Sequence, residues 1–204
     1  VELAPWVSRF TQLIKGDNPD ATKQLLEFLL ELIHDRAEYM SENGLMTLKP
    51  SRDFPSVVLI VDEWAEMGAT GTKLQRQDIH DLLRRYVSLG RAVGCSAVLA
   101  TQRPTGDTID PGTRALLAHR LAFRCGDKWQ SEAILGMGHH EPTTISLKSP
   151  GNGFYSDGTG VQGVKVYDFP ESQIEPCPVL RIEKDELSPR ARPELSETMR
   201  DTTR

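Results

Sequence analysis

Two short apolar runs constrain this chain more than any other feature. Val57–Val61 reads Val-Val-Leu-Ile-Val and gives way at once to Asp62-Glu63. Ala97–Ala100 reads Ala-Val-Leu-Ala and gives way to Thr101-Gln102-Arg103-Pro104. Short runs of β-branched and aliphatic residues suit strands buried on both faces, as in a parallel sheet covered by helices. In such sheets the reactive groups lie just beyond the carboxyl ends of the strands. The expected layout therefore sets Asp62, Glu63, Thr101, Gln102 and Arg103 along one edge, as in a nucleotide-hydrolysing motor core.

Composition bounds the reading without deciding it. The 204 residues suit one domain, or one domain plus a tail, and 38% hydrophobic content with a formal charge of -5 describes an ordinary soluble protein. No apolar stretch approaches the roughly 18 to 20 residues that a membrane-spanning helix needs, and the opening residues do not read as a secretory leader. Cys95, Cys125 and Cys177 are odd in number, widely spaced and without a Cys-x-x-Cys pair. They favour a reduced, cytosolic setting over a disulfide frame or zinc ribbon. The acidic balance lacks the bulk basicity of a typical nucleic-acid binder. A ring-shaped motor needs only a few pore loops to touch DNA, so charge leaves that question open. The first residue is Val1, which points to a processed product or a piece of a longer protein.

Periodicity organises the rest. Residues 1–19 read as irregular or strand-like. Asp20 is placed to cap a helix running to about Met40, with Leu25, Leu29, Leu32, Ile33 and Ala37 at helical spacing. Ser41–Pro55 is a loop, Glu66–Lys73 a Gly/Thr-rich connection, and Leu74–Gly90 a second amphipathic helix. After the strand at Ser96–Ala100 come a polar loop, a short helix at Gly112–His119, a third strand at Leu121–Cys125 and a helix at Lys128–Leu135. Glycines alternating with apolar residues over 150–169 predict a terminal hairpin. From about Val179 the chain is charged and has little to bury, so a frayed tail is expected over 179–204, after a domain spanning 1–178. Strand and helix alternation predicts a three-layer α/β domain with a mainly parallel sheet and right-handed crossovers.

The acidic pair has a specific chemistry available to it. A carboxylate at Asp62 can hold the hydrated Mg²⁺ that bridges nucleotide phosphates. A second, at Glu63, can orient or deprotonate an attacking water. Gln102, a neutral amide at the neighbouring strand tip, can hydrogen-bond the γ-phosphate or that water. The bland reading is two strands that end in solvated polar residues.

The segments Val58–Glu66, Gly90-Arg91-Ala92-Val93-Gly94 and Leu99–Pro104 together resemble the FtsK/SpoIIIE family of DNA translocases. His119–Arg124 and Ser131–Gly136 resemble the strand and helix that follow in that family, and the resemblance covers about residues 1–175. The opening Val1–Trp6 is similar to actinobacterial members, conjugative-transfer translocases among them. The resemblance implies a RecA-like P-loop NTPase sandwich, ATP and Mg²⁺ as cofactors, a hexameric ring, and movement along double-stranded DNA. It implies Asp62 and Thr101 at the nucleotide, Glu63 and Gln102 in catalysis, and Arg120 or Arg91 reaching a neighbouring subunit's ATP. Thr108 and Arg114 fall where the family carries a DNA-facing loop. A cytoplasmic location follows, with any membrane tether carried by segments outside these residues.

One departure is large. The chain has no G-x-x-x-x-G-K-[ST] phosphate loop, the backbone cradle and lysine that grip the β- and γ-phosphates. Gly68–Lys73 is glycine-rich, but it follows the acidic strand and has the wrong spacing. In the family that loop lies upstream of the residues matching Val1, so these residues are expected to be the C-terminal part of a motor domain. The rival reading is a degenerate RecA-like domain that assembles or binds partners and hydrolyses nothing. His119, His139, His140 and Cys125 match no standard metal-ligand spacing. Trp6, Trp64 and Trp129 are expected as core or interface anchors.

Overall fold

The computed structural model describes residues 10–14, 18–105, 108 and 110–170. These fall into two compact units. One takes in the described residues up to Val61 together with Met67–Leu99, and the other takes in Asp62–Glu66 together with the described residues from Ala100 onward. The expected tail and Trp6 lie outside the described residues.

The first unit is built on helix α1 (Pro19–Glu42), strand β1 (Val57–Val61), helix α3 (Lys73–Gly90) and strand β2 (Cys95–Leu99). The cap of α1 is Asn18 rather than Asp20, its side chain accepting from Ala21 N at 3.0 Å. Pro19 explains the shift, because proline fits the first helical position and leaves the residue before it to cap. Thr72 caps α3 in a reciprocal box, accepting from Gln75 N while the Gln75 side chain accepts from Thr72 N. The crossover through α3 leaves β1 and β2 parallel, with Val57 opposite Cys95 and Val61 opposite Leu99.

The apolar faces of the two helices meet one face of this strand pair. Leu29, Leu32, Ile33, Tyr39, Met40, Tyr86, Val93 and Cys95 are buried together, with Val57, Leu59 and Ala97 packed against them. The alternate residues point away, and Val58, Ile60 and Val98 are about half exposed at 50%, 44% and 52%. Among the described residues, the helices of this unit cover one face of the pair. Side chains alternate along a strand, and α1 and α3 supply apolar cover to one side only. Where α3 ends, a Cβ on Gly90 would come within 2.8 Å of the Cys95 carbonyl oxygen, so only glycine lets helix and strand approach this closely.

The second unit contains helix α4 (Pro111–Leu116), helix α5 (Lys128–Leu135) and an antiparallel sheet of β3 (Arg120–Ala122), β4 (Asn152–Ser156) and β5 (Val161–Lys165). The hairpin forms as expected, with Asn152 opposite Lys165 and Ser156 opposite Val161. The third strand is shorter than expected and pairs antiparallel with β4, Leu121 lying opposite Tyr155. Ala122, Cys125 and Leu135 form its small core, joined by Ile134, Phe154 and Val161. Of the two roles expected for Trp129, core or interface anchor, the core one does not hold. The residue is 68% exposed, with the Lys128 ammonium 4.5 Å from its ring centre. Helix α2 (Trp64–Met67) is a single turn that begins directly after the acidic pair. Among the described residues no helix is long and apolar enough to cross a membrane.

Candidate nucleotide site

The residues that follow the two parallel strands in sequence come together within the second unit. Trp64, almost fully buried, donates its backbone N–H to the Ala100 carbonyl at 2.8 Å. Its indole N–H donates to the Thr108 carbonyl. The Thr108 hydroxyl then donates to the Arg103 carbonyl at 2.8 Å. One bulky anchor thus fixes the segment after β1 to the segment after β2.

Glu63 sits within this frame, half-buried. Its Oε1 accepts from the Thr101 hydroxyl at 2.6 Å and from Ala65 N at 3.0 Å, and its Oε2 accepts from Gln102 N at 2.7 Å. The Thr101 hydroxyl in turn accepts from Arg103 N at 3.1 Å. Burial works against ionisation of Glu63. The bonds from Thr101, Gln102 and Ala65, with the nearby Arg103 charge, outweigh it and hold the carboxyl below its ordinary value. The group is a stable carboxylate at neutral pH.

Asp62 differs in every respect. It is exposed, and no hydrogen bond or ion pair among the described residues engages its carboxylate. An exposed, unengaged carboxylate is the hard oxygen donor that Mg²⁺ prefers, directly or through water. The Gln102 side chain is also exposed, although its backbone N–H is committed to Glu63. The site so assembled has an anion for a cation, a fixed carboxylate and a neutral amide side by side.

The arginines are placed differently. Arg120 Nε donates to the Leu117 carbonyl at 3.0 Å and Nη2 to the Arg114 carbonyl at 3.3 Å, so it closes the end of α4. Arg91 is exposed in the 3-10 turn Arg91–Val93, which belongs to the first unit. Arg114, which falls where the family carries a DNA-facing loop, donates to the Ala133 carbonyl at 3.2 Å. In the Gly68–Lys73 connection, the Gly71 carbonyl accepts from Arg76 at 2.7 Å. A phosphate cradle needs amides turned inward, and here carbonyls face a cation. His140 and His139 are engaged by Glu132 at 2.8 Å and Glu141 at 3.4 Å.

Sequence reasoning assigned Thr101 to the nucleotide and missed its bond to Glu63. No periodicity announces a contact across 38 positions. It also missed Arg36, whose guanidinium is fully buried and donates to the Val93 and Pro55 carbonyls, each at 2.9 Å. A signal existed there, since Arg36 falls on the apolar face of α1 with Leu32 and Ile33.

No protein-family model matches the chain. Individual relatives do. The chain is 31% identical over 137 residues to DNA translocase FtsK of Pseudomonas syringae pv. syringae, covering 66% of this chain and 15% of that protein. It is 27% identical over 139 residues to DNA translocase SpoIIIE of Bacillus subtilis, covering 61% and 17%. With DNA translocase FtsK of Streptomyces avermitilis the match is 28% over 194 residues, covering 92% of this chain and 20% of that protein. The chain therefore spans about a fifth or less of these relatives. Among solved structures it is similar to the pCW3 conjugation coupling protein TcpA, a monomer form with ATPγS. There the TM-score is 0.68 at 18% identity, over 76% of this chain and 46% of that one. It is also similar to the cytoplasmic domain of the Thermomonospora curvata type VII secretion ATPase EccC, with a TM-score of 0.54 at 22% identity, over 71% and 18%. The fold is that of the RecA-like P-loop ATPases, and its acidic and Thr-Gln-Arg-Pro segments stand in a chain that is similar along most of its length to DNA translocases named FtsK and SpoIIIE.

Proposed function

We propose that this chain supplies the water-activating and phosphate-sensing half of the nucleotide site in an ATP-driven double-stranded DNA translocase. The observation that carries the reading is the gathering of Glu63, Thr101 and Gln102 after two parallel strands, with Asp62 left exposed beside them. The names of the relatives, DNA translocases, support the substrate.

Each residue then has a task. Asp62 holds the cation's water shell, and Mg²⁺ supplies charge neutralisation at the phosphates when bound. Glu63 aligns the attacking water and takes its proton. The Gln102 amide meets the γ-phosphate and distinguishes ATP from ADP. An arginine from a neighbouring subunit completes the charge balance. Arg91 is exposed and suits that task as it stands, whereas Arg120 must first leave the carbonyls of Leu117 and Arg114. In this reading the subunits form a hexameric ring, and residues 1–178 form one part of a motor domain whose phosphate loop lies elsewhere in the protein.

The test is ATP binding and DNA-stimulated hydrolysis in the full-length protein and its Glu63→Gln variant. Loss of a general base costs about 10²- to 10⁴-fold in turnover, so the variant is expected to bind ATP and retain it. Unchanged turnover would sink the assignment of Glu63. Full-length protein that neither binds nor hydrolyses ATP favours the degenerate assembly domain.

A further inference from the structure

The hydrogen bonds around Glu63 are more numerous than positioning a base requires. A carboxylate offers about four lone-pair positions. Oε1 is filled by Thr101 and Ala65, and Oε2 is gripped by Gln102 N. The Thr101 and Gln102 contacts, at 2.6 and 2.7 Å, are as short as charge-assisted bonds become. A base must present a lone pair about 2.6–3.2 Å from the proton it takes. Three donors leave one position on Oε2 open, but the carboxylate cannot turn toward a water anywhere else without first breaking the contacts with 101 and 102. Those donors belong to the very segment whose exposed Gln102 side chain is placed to meet phosphate.

We propose that Thr101, with the backbone N–H of Gln102, is a latch that holds Glu63 away from its working position and releases it when residue 102 engages phosphate. This inference rests on the ATPase reading given above and adds its regulation. Gln102 carries both halves of the coupling, with a side chain turned outward and an N–H turned to Glu63. A shift of this residue toward a ligand must loosen the grip on the carboxylate. Thr101 sets how firmly Glu63 is held, because its hydroxyl donates to Glu63 while accepting from Arg103. It is a positioning residue that acts through Glu63.

Two measurements test the latch, and the first needs no nucleotide. Amide hydrogen exchange on this 204-residue chain should show Gln102 N–H protected at least tenfold, although the residue is exposed and outside regular structure. Glu63→Ala should abolish that protection and Thr101→Val should reduce it, while Thr101→Ser retains it. A freely exchanging Gln102 amide in the wild type, or protection indifferent to Glu63→Ala, overturns the latch whatever the ATPase result. The second measurement is hydrolysis by the full-length protein. Losing one charge-assisted bond should raise DNA-independent turnover of Thr101→Val about tenfold and shrink its stimulation by DNA, with Thr101→Ser behaving as wild type. A Thr101→Val that is slower, or unchanged, without DNA overturns the proposal. So does a wild-type protein with no hydrolysis. Loss of the ATPase reading alone leaves the exchange pattern intact, so the two failures are distinguishable.

Discussion

At their amino-terminal ends β1 and β2 are held by a buried cation, whereas the residues after their carboxyl-terminal ends are gathered by a half-buried anion. Arg36 reaches the carbonyls of Pro55 and Val93, just before the two strands, from inside the core of the first unit. The Val57 N–H adds a bond to the Gly94 carbonyl at 3.0 Å, and Leu48 N one to the Ala92 carbonyl at 2.8 Å. Glu63 reaches Thr101 and Gln102, just after the strands, from the second unit, beside an exposed Asp62. The contrast separates two kinds of polar group. A buried hydrogen-bonded charge is costly to remove because its partners are stranded. A half-exposed one can exchange partners with a ligand or water, which is what chemistry at a strand end requires.

The amino-terminal clamp should give the largest stability effect. Arg36→Ala strands two carbonyls and leaves a cavity, and it is expected to cost about 3 kcal/mol by urea denaturation. Arg36→Met fills the space and removes a buried charge, so its cost should be about 1–2 kcal/mol. Burial already works against the Arg36 charge, and its Nε is buried with no partner among the described residues. Equal costs for the two variants would mean that hydrogen bonds alone carry the clamp. A cost near zero for Arg36→Ala would break the comparison, since the strand starts would then be no more firmly held than the site.

A smaller effect is expected from pH, at the same end of the strands. Burial pushes the Cys95 thiol up, the Arg36 charge partly opposing, and burial also pushes the Tyr86 phenol up. Tyr86 donates to the Ser96 carbonyl at 3.0 Å, so the fold favours its protonated form. Both groups ionise more readily in the unfolded chain. Their contribution is therefore fully present at neutral pH and is lost as pH rises above the ordinary thiol value of about 8.5. The urea midpoint should begin to fall there, and Cys95→Ala should flatten the first part of the fall. An unchanged slope in that variant would assign the pH dependence elsewhere.

Much of this arrangement is legible along the chain, for reasons that can be stated. Val57–Val61 and the run before Thr101 are long enough apolar signals to be strands whatever surrounds them. Lys128–Leu135 is bounded by an Asp127 cap and by Gly136, so its limits are local too. The hairpin is carried by alternation and by turn glycines. Other features depend on partners remote in sequence. The antiparallel pairing of Arg120–Ala122 with β4 is invisible to local patterning, because a three-residue strand takes its sheet from whichever edge is offered. The Thr101–Glu63 bond is legible as two polar strand ends, but not as one contact. The absence of a phosphate loop is plain in the sequence, and the carbonyls facing Arg76 add a reason why Gly68–Lys73 does not replace it.

The smallest predicted effect concerns the two faces of the strand pair, where sequence and structure differ most. Composition alone makes Val58, Ile60 and Val98 look like core, yet each is about half exposed, while Leu59 and Ala97 on the opposite face pack against the helices. A half-exposed valine in a strand gives up little burial when it becomes threonine, because both are β-branched and suit the pleated backbone equally. Val98→Thr should therefore change the stability of this chain by no more than about 0.5 kcal/mol, the range of ordinary surface substitutions. It should also lower any tendency of the chain to self-associate, since contiguous exposed apolar side chains mark sites of contact. The check is a urea midpoint for the variant beside sedimentation of both proteins. A loss well above 1 kcal/mol would mean that this face is covered in solution. The strands would then be buried on both sides, as their sequence first suggested.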